Sequence, residues 1–159
     1  MATVSRLPDD FRRRVLLVDD DRQVSNTLAR QLQSLGYVAD TAADSAKAIL
    51  MATAYEYEVI LTDLMMPVVD GMELMSILAR RSAVTSFILM TGAPHLGNHA
   101  SPAVNGRLTT VLAKPLGNPE LENALNQAFE VAGKRRALSA LPQAAAGFCC
   151  SKTAVAMLY

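Results

Sequence analysis

Short runs of apolar residues recur along the chain, and stretches with helical spacing separate most of them. The most informative run covers residues 59–63 and ends at Asp63, before a turn that contains Pro67 and the Asp70-Gly71 pair. A β-branched, apolar run of this length is typical of a strand that is buried on both faces of a parallel sheet. Asp63 is therefore predicted at the carboxyl end of a central strand, where open α/β sheets bind their ligands.

Four further runs complete the predicted sheet, and three of them also end at a chemically distinctive group. These runs cover residues 15–18, 37–41, 87–90 and 111–113, and the groups that follow are Asp19-Asp20-Asp21, Thr91-Gly92 and Lys114-Pro115. Strands that alternate with helices predict a doubly wound α/β domain, with a five-stranded parallel sheet and helices on both faces. Five helices are expected, and residues 93–107 hold so many Pro and Gly residues that the fourth should be short or distorted.

Residues at the helix ends agree with this assignment. Gly36 is placed to end the first helix, and either Asp44 or Ser45 can cap the second. The last helix is predicted to begin with Asn118 as its N-cap and Pro119 at the first helical position. Its buried face would consist of Leu121, Leu125, Ala128 and Ala132.

Length and composition limit the chain to one domain of ordinary globular type. It has 159 residues, a formal net charge of zero and 19% charged residues, so electrostatics gives no reason to expect nucleic-acid or membrane binding. We predict a polar arm at residues 1–13, a domain at 14–133, and a tail or the start of a truncated linker at 134–159. The start lacks the apolar region of a signal peptide and the two cysteines are adjacent, which together indicate a reducing cytoplasm.

The groups that follow four of the strands should meet, because parallel strands end on the same side of a sheet. Asp19, Asp20 and Asp63 would then face a single ammonium, that of Lys114, and close like charges are costly. A bound Mg²⁺ resolves this imbalance, since it binds one or two carboxylates and shares a phosphate oxygen. Thr91 and Lys114 can contact the other phosphate oxygens, and a carboxylate such as Asp63 can attack phosphorus.

This set of residues resembles the motif of response-regulator receiver domains in two-component signalling. Its elements here are Asp19-Asp20, Asp63 with the Met-Pro-x-x-Asp-Gly turn, Thr91, and Lys114-Pro115. The resemblance covers residues 14–133 and implies a flavodoxin-like sheet with the strand order 2-1-3-4-5. It further implies a cytoplasmic phosphoprotein of phosphorelay signal transduction that switches conformation and is not a turnover enzyme.

The resemblance also assigns roles to the metal-binding and phosphate-binding residues. Asp63 would be the phosphoacceptor, and Asp20 and Asp63 would bind Mg²⁺ directly. Asp19 would act largely through water, and the backbone carbonyl of Met65 would be a further ligand.

On the phosphate side, Lys114 would pair with the phosphoryl group, and Thr91 would move toward it as the switch. Gly92 matches a position where a small residue lets the backbone amide approach the phosphate. The Lys114-Pro115 peptide is usually cis in receivers.

Two features depart from the family pattern. Val111 stands three residues before Lys114, where receivers usually carry Tyr or Phe, and residues 93–107 belong to a face that many receivers use for dimerisation or signalling. A homodimer through that face is therefore only one of the open arrangements. The side chains of Met65 and Ala93 flank the site and cannot orient a water molecule, so we expect slow hydrolysis of the phosphoryl group.

The expected partners are a histidine kinase or phosphotransfer protein and an output domain or partner protein of unknown kind. Two alternatives remain at this point. One is a degenerate receiver that acts as a phosphorylation-independent interaction module. The other is a Mg²⁺-dependent phosphohydrolase, although such enzymes use an Asp-x-Asp pattern and here Asp63 is followed by Leu64 and Met65.

Overall fold

Five parallel strands form the central sheet of the protein. The computed structural model describes residues 13–93 and 106–141. The strands are β1 (Arg14–Val18), β2 (Val38–Ala42), β3 (Val59–Asp63), β4 (Ser86–Thr91) and β5 (Leu108–Ala113). They lie in the order β2-β1-β3-β4-β5, and each neighbouring pair is parallel. The predicted doubly wound α/β fold with the order 2-1-3-4-5 is confirmed.

Four helices pack on the two faces of this sheet within the described residues. They are α1 (Arg22–Ser34), α2 (Ser45–Ala54), α3 (Gly71–Arg81) and α4 (Asn118–Ser139). The additional helix that we expected in residues 93–107 falls mostly outside the described ranges. None of the helices in residues 13–93 and 106–141 is at once long and apolar enough to cross a membrane.

The helix ends are built largely as the residue types indicate. Gly36 follows α1 with φ +90°, a left-handed conformation that favours glycine. Asp44 caps α2, because its carboxylate accepts a hydrogen bond of 2.7 Å from the Lys47 N–H. Ser45 lies inside the helix and donates to the Val69 carbonyl at 2.9 Å, which ties α2 to the turn after β3.

The predicted N-cap of the last helix is wrong by one residue. Gly117 occupies the N-cap in an extended conformation without any side-chain capping bond, and Asn118 is already helical. The helix starts without a side-chain cap because Pro119, in its first turn, restricts φ to a helical value. The predicted buried stripe of this helix is confirmed, since all its members are buried: Leu121, Leu125, Ala128 and Ala132.

The sheet separates two hydrophobic clusters, because successive residues of a strand point to opposite faces. Leu16, Ile60 and Leu89 belong to the cluster covered by α2 and α3. Leu17 and Leu61 belong to the cluster covered by α1 and α4. The central strands are buried on both faces, and this fixes their register against slippage by one residue.

The strand register brings the ends of the strands to one level. Asp63 pairs with Met90, and Thr91 pairs with Ala113, the residue before Lys114. We call this side of the sheet, which carries Asp19, Asp63, Thr91 and Lys114, its carboxyl end. The side where the strands begin is called its amino end.

The last helix runs farther than the predicted domain boundary. It passes residue 133 without a break and ends at Ser139, so that boundary falls inside a helix. Residues 1–12 and 142–159, which include most of the predicted arm and tail, lie outside the described ranges. The division into arm, domain and tail therefore stays a prediction.

Candidate functional site

The three aspartates that follow β1 have three different environments. The side chain of Asp19 is buried, with the residue only 1% exposed, whereas Asp20 is exposed. Asp21 is the N-cap of α1, and its carboxylate accepts hydrogen bonds from the N–H groups of Gln23 and Val24. The common structural role of such a run, a helix cap, is thus filled by Asp21. Asp19 and Asp20 remain available for another role.

Asp63 is held at the end of β3 by the backbone on both sides. It is 7% exposed, and the next residue, Leu64, donates its N–H to the Met90 carbonyl at 2.8 Å. The first residue of α3, Gly71, packs directly on Asp63: a Cβ at this glycine would stand 2.2 Å from the Asp63 carbonyl oxygen. The helix start can approach the strand end this closely only because residue 71 has no side chain.

Lys114 links the two buried carboxylates. Its Nζ donates to Asp19 Oδ2 at 2.6 Å and lies 3.3 Å from Asp63 Oδ1. The Lys114-Pro115 peptide is cis, as the resemblance implies. The backbone N–H of Lys114 donates to the Thr91 carbonyl, so the ends of β4 and β5 are joined at this point.

Burial dominates the electrostatics of Asp63. It raises the pKa of the carboxyl above its usual value; the charge of Lys114 lowers that pKa, and the nearby charge of Asp19 raises it. Partial burial lowers the pKa of Lys114, but the hydrogen bond and charge of Asp19 and the charge of Asp63 outweigh it, and this pKa is raised. The ammonium therefore stays charged, while the surroundings disfavour the charge of Asp63.

The acidic side chains at the carboxyl end form a group that could hold a cation. One carboxylate oxygen from each of Asp19, Asp20 and Asp63 lies within 4.8 Å of the others. Three carboxylates against one ammonium leave an excess of negative charge, and oxygen donors are the ligands that Mg²⁺ prefers. The donor set therefore fits Mg²⁺.

The remaining predicted residues lie around this group. Thr91 is fully buried, and its hydroxyl is engaged with its own loop: it accepts from the Ala93 N–H at 3.0 Å and donates to the Ala93 carbonyl at 3.3 Å. The side chain of Met65 points outward and the residue is 64% exposed. Around Gly92, no atom of the described residues lies within 4 Å of where a Cβ would stand, so packing alone does not require a glycine there.

The comparison with known families agrees with this geometry. Residues 15–126 match the family model described as the response regulator receiver domain. The chain belongs to the response regulator receiver family. Receiver domains of this family serve two-component signalling and are signalling domains rather than classical enzymes.

Individual relatives are similar to this receiver domain in sequence or in structure. The transcriptional regulatory protein TcrA of Mycobacterium tuberculosis is 29% identical over 108 residues, which cover 68% of this chain and 42% of TcrA. The signal receiver domain of an HD domain-containing protein from Pseudomonas fluorescens is 29% identical, with a TM-score of 0.71 over 77% of this chain and 98% of that chain.

The structure of a third relative was solved as a complex with ligands. The response regulator TrrA of Thermotoga maritima, in complex with Mg²⁺ and BeF, is 25% identical, with a TM-score of 0.66 over 73% of this chain and 98% of that chain. The solved structures are covered almost completely, whereas the match to TcrA spans less than half of the length of TcrA.

Two contributions to the site could not be recognised from the sequence motif alone. Gly71 was assigned to a turn, although its main effect is to let α3 approach the Asp63 carbonyl. Ser25 donates to the Asp19 carbonyl at 3.2 Å and so holds α1 against the end of β1. A polar residue on the buried face of a helix was the one available indication, since Ser25 lies between the apolar positions Val24 and Leu28.

Proposed function

We propose that this receiver domain accepts a phosphoryl group on Asp63 from the phosphohistidine of a histidine kinase or phosphotransfer protein, in a Mg²⁺-dependent reaction. The observation that carries the proposal is the position of the Lys114 ammonium, within 3.3 Å of both Asp19 and Asp63. A nucleophilic carboxylate, a second acid and a cation that can neutralise the incoming phosphoryl group are thus already in contact.

In the proposed reaction, Asp63 attacks phosphorus while the bond from phosphorus to the donor imidazole nitrogen breaks. The bonding electrons leave with the imidazole, which takes up a proton, and an acyl phosphate remains on Asp63. Bound Mg²⁺ would be held directly by Asp20, Asp63 and the Met65 carbonyl and largely through water by Asp19, and it would offset the charge of the phosphoryl oxygens. The acyl phosphate is a mixed anhydride that carries more negative charge than the carboxylate it replaces, so the Lys114 ammonium and bound Mg²⁺ would be needed to offset the charge of its phosphoryl oxygens.

The switch is proposed to begin at Thr91. Its hydroxyl is held by the backbone of Ala93, so a hydrogen bond to a phosphoryl oxygen requires those two contacts to be given up. The change would then pass directly to the segment that follows β4. Val111 is half-buried against the α2–α3 cluster and has no aromatic ring, so the proposed switch does not involve a rotation of an aromatic side chain at this position.

The direct test is phosphorylation with acetyl phosphate in Mg²⁺, followed by intact mass. We expect one phosphoryl adduct in the natural chain and none in Asp63→Ala. With beryllofluoride as a phosphoryl mimic, amide resonances near Thr91 and in β5 should shift. If no adduct forms and no Mg²⁺-dependent shift is seen, the phosphoacceptor proposal fails and the phosphorylation-independent interaction module takes its place.

The lifetime of the adduct tests a finer point. Met65 and Ala93 offer no polar side chain that could orient an attacking water, so the acyl phosphate should persist for minutes or longer. Mass spectra of a sample freed of acetyl phosphate would measure the decay. Loss of the adduct within seconds would contradict this expectation.

A further inference from the structure

An apolar cleft opens at the amino end of the sheet, between the ends of α2 and α3. Its volume is about 330 Å³, and it is lined by residues 52–57 and 81–85 together with Ile60 and Leu78. Ile60 and Leu78 are each only 2% exposed and belong to the cluster covered by α2 and α3. The floor of this amino-end cleft is therefore the hydrophobic core itself, far from the strand ends that carry the acidic site.

The rim of the amino-end cleft is more polar and contacts the last helix. Tyr55 is 57% exposed, and Arg81 donates to Thr53 Oγ1 at 2.9 Å. The carboxylate of Glu56 lies 3.6 Å from the guanidinium of Arg136, which stands near the end of α4. The end of α4 thus passes beside the rim, and the chain that continues from α4 starts within reach of the cleft.

The end of α4 is apolar and open to water. Leu138 and Leu141 are 68% and 63% exposed. Pro142 comes next, and because proline cannot continue a helix, the chain can change direction at this point. Two apolar surfaces, the helix end and the amino-end cleft, therefore lie near each other, and their contact with water is unfavourable.

The sequence after Leu141 is apolar enough to cover such a surface. Residues 142–159 contain a single charged residue, Lys152, and five large apolar or aromatic residues: Phe148, Val155, Met157, Leu158 and Tyr159. Phe148 is the first of these, and the seven residues from Leu141 to Phe148 span up to about 23 Å when extended. The charge of Lys152 is complementary to that of the Glu56 carboxylate, which is 61% exposed at the rim.

We propose that residues 142–159 fold back on the amino end of the sheet and that Phe148 occupies the amino-end cleft. The ring then covers Ile60 and Leu78, and the burial of its apolar area drives the docking. Lys152 lies near the Glu56 carboxylate. The amino-end cleft is thus a docking surface for a segment of the same chain. This docking goes beyond the phosphoacceptor function and does not depend on it, since it uses no residue of the carboxyl end.

The test uses the full chain and its two natural cysteines, Cys149 and Cys150, which directly follow Phe148. After Cys149→Ser, a nitroxide spin label on Cys150 broadens the amide resonances of the residues that lie close to it. We expect broadening in residues 52–57 and 82–85 and none around Asp20, at the other end of the sheet. The same sample with its label reduced supplies the reference intensities.

Two substitutions in the labelled chain test the docking site itself. Phe148→Asp removes the apolar ring without changing any residue of the sheet or of its helices. Ala54→Arg places a charged side chain on the exposed rim of the cleft. Either change should return the amide intensities to the reference values. Ala46→Arg is the matched control, because it alters an exposed alanine of the same helix outside the cleft, and it should leave the broadening in place.

Three results would overturn the proposal. Broadening that is absent or spread evenly over the surface would show that the segment has no fixed docking site. Localised broadening that survives both Phe148→Asp and Ala54→Arg would show that the ring and the cleft are not responsible for it. Equal broadening in a mixture of isotope-labelled chains without nitroxide and spin-labelled chains without isotope would assign the contact to a second copy. None of these results bears on phosphorylation of Asp63.

Discussion

The two ends of the sheet use charged residues in opposite ways. At the carboxyl end, carboxylates are gathered around one ammonium, and the negative charge of Asp63 is held where burial and Asp19 disfavour it. At the amino end, the charged residues include several arginines. Each arginine described below contacts oxygen atoms of a neighbouring element. A net charge of zero conceals this separation.

The arginines of the amino end act mainly on the backbone. Arg107 donates to the carbonyls of Ala79 and Ser82 at the end of α3. Arg135, on the extended part of α4, donates to the Gly106 carbonyl at 2.8 Å, and Arg136 pairs with Glu58 at 2.6 Å. Burial and the neighbouring Arg107 lower the pKa of Arg135, which still keeps its proton at neutral pH.

The two ends therefore differ in what their charged residues do. Those at the carboxyl end repel one another, whereas those at the amino end stabilise the fold. Groups that repel one another store free energy that a ligand or a reaction can release, and such groups collect at functional sites. Side chains that donate hydrogen bonds to backbone carbonyls stabilise the fold, and a ligand gains no free energy by breaking these hydrogen bonds. Substitutions at the two ends should therefore differ in how they respond to Mg²⁺.

The largest effect is expected from Gly71→Ala at the carboxyl end. The Cβ of the new alanine would stand 2.2 Å from the Asp63 carbonyl oxygen, and neither atom can move away unless the backbone moves with it. Because α3 or β3 must shift, the free energy of unfolding should fall by about 3 kcal/mol. Urea denaturation of the natural chain and of the variant measures this difference in the free energy of unfolding. Gly133→Ala, inside α4 where a Cβ meets nothing within 4 Å, is the control and should raise the free energy of unfolding slightly, because Ala has the higher helix propensity. The absence of a loss for Gly71→Ala would show that the contact is tolerated.

A smaller effect is expected from Arg135→Met at the amino end. The substitution keeps the apolar stem but removes the hydrogen bond to the exposed Gly106 carbonyl, which should cost about 1 kcal/mol. Unlike a change at the carboxyl end, this loss should be the same with and without Mg²⁺. Parallel thermal melts in Mg²⁺ and in chelator measure the difference, and a Mg²⁺-dependent loss would contradict the division between the ends.

Asp63→Asn should stabilise the metal-free protein, by about 1 kcal/mol at neutral pH. The pKa of Asp63 is raised by folding, so the folded chain binds a proton more tightly than the unfolded chain. The ionised carboxylate therefore destabilises the fold above its folded pKa, and this penalty disappears as the pH falls to the ordinary Asp pKa. Melts in chelator from pH 7 to pH 4 should show the advantage of Asn shrinking. A constant or growing advantage would contradict the sign.

The smallest effect is expected at Val68, in the turn between β3 and α3. This β-branched residue has φ +70° and a fully exposed side chain, so it bears the cost of a left-handed conformation without any packing in return. Val68→Asn should raise the free energy of unfolding by about 0.5–1 kcal/mol, because Asn adopts this conformation more readily. Val68→Ala is the control, and it should gain less than Asn does.

The strand ends were predictable because the apolar runs are nearly uninterrupted and stop abruptly. The runs before Asp63 and Thr91 are buried on both faces, and parallel pairing then places the residues that follow them on one side of the sheet. The family resemblance added the strand order, which the alternation of strands and helices alone did not provide. The N-cap of α4 was missed by one residue, because Asn118 and Gly117 are both acceptable next to Pro119.

Contacts between distant segments were not predictable. The basic run Lys134-Arg135-Arg136 has the composition of a solvated surface, yet Arg135 donates to the Gly106 carbonyl and Arg136 pairs with Glu58. Long side chains can bond to any carbonyl within reach, and which carbonyls are within reach depends on how α4 crosses the sheet. The same holds for Gly71, whose contact with Asp63 exists only once α3 has packed.

By itself, the sequence determined which elements form, which of their faces are buried, and which chemical groups follow the strands. These features depend on local spacing and on the period of apolar residues, and both can be seen in the order of residues. The tertiary structure alone decided that Lys114 contacts Asp19 more closely than Asp63, that Asp21 rather than Asp19 caps α1, and that Arg107 and Arg135 bond to backbone carbonyls. The two Lys114 contacts, at 2.6 Å and 3.3 Å, differ by less than an ångström, and only the packed arrangement of helices on the sheet sets such distances.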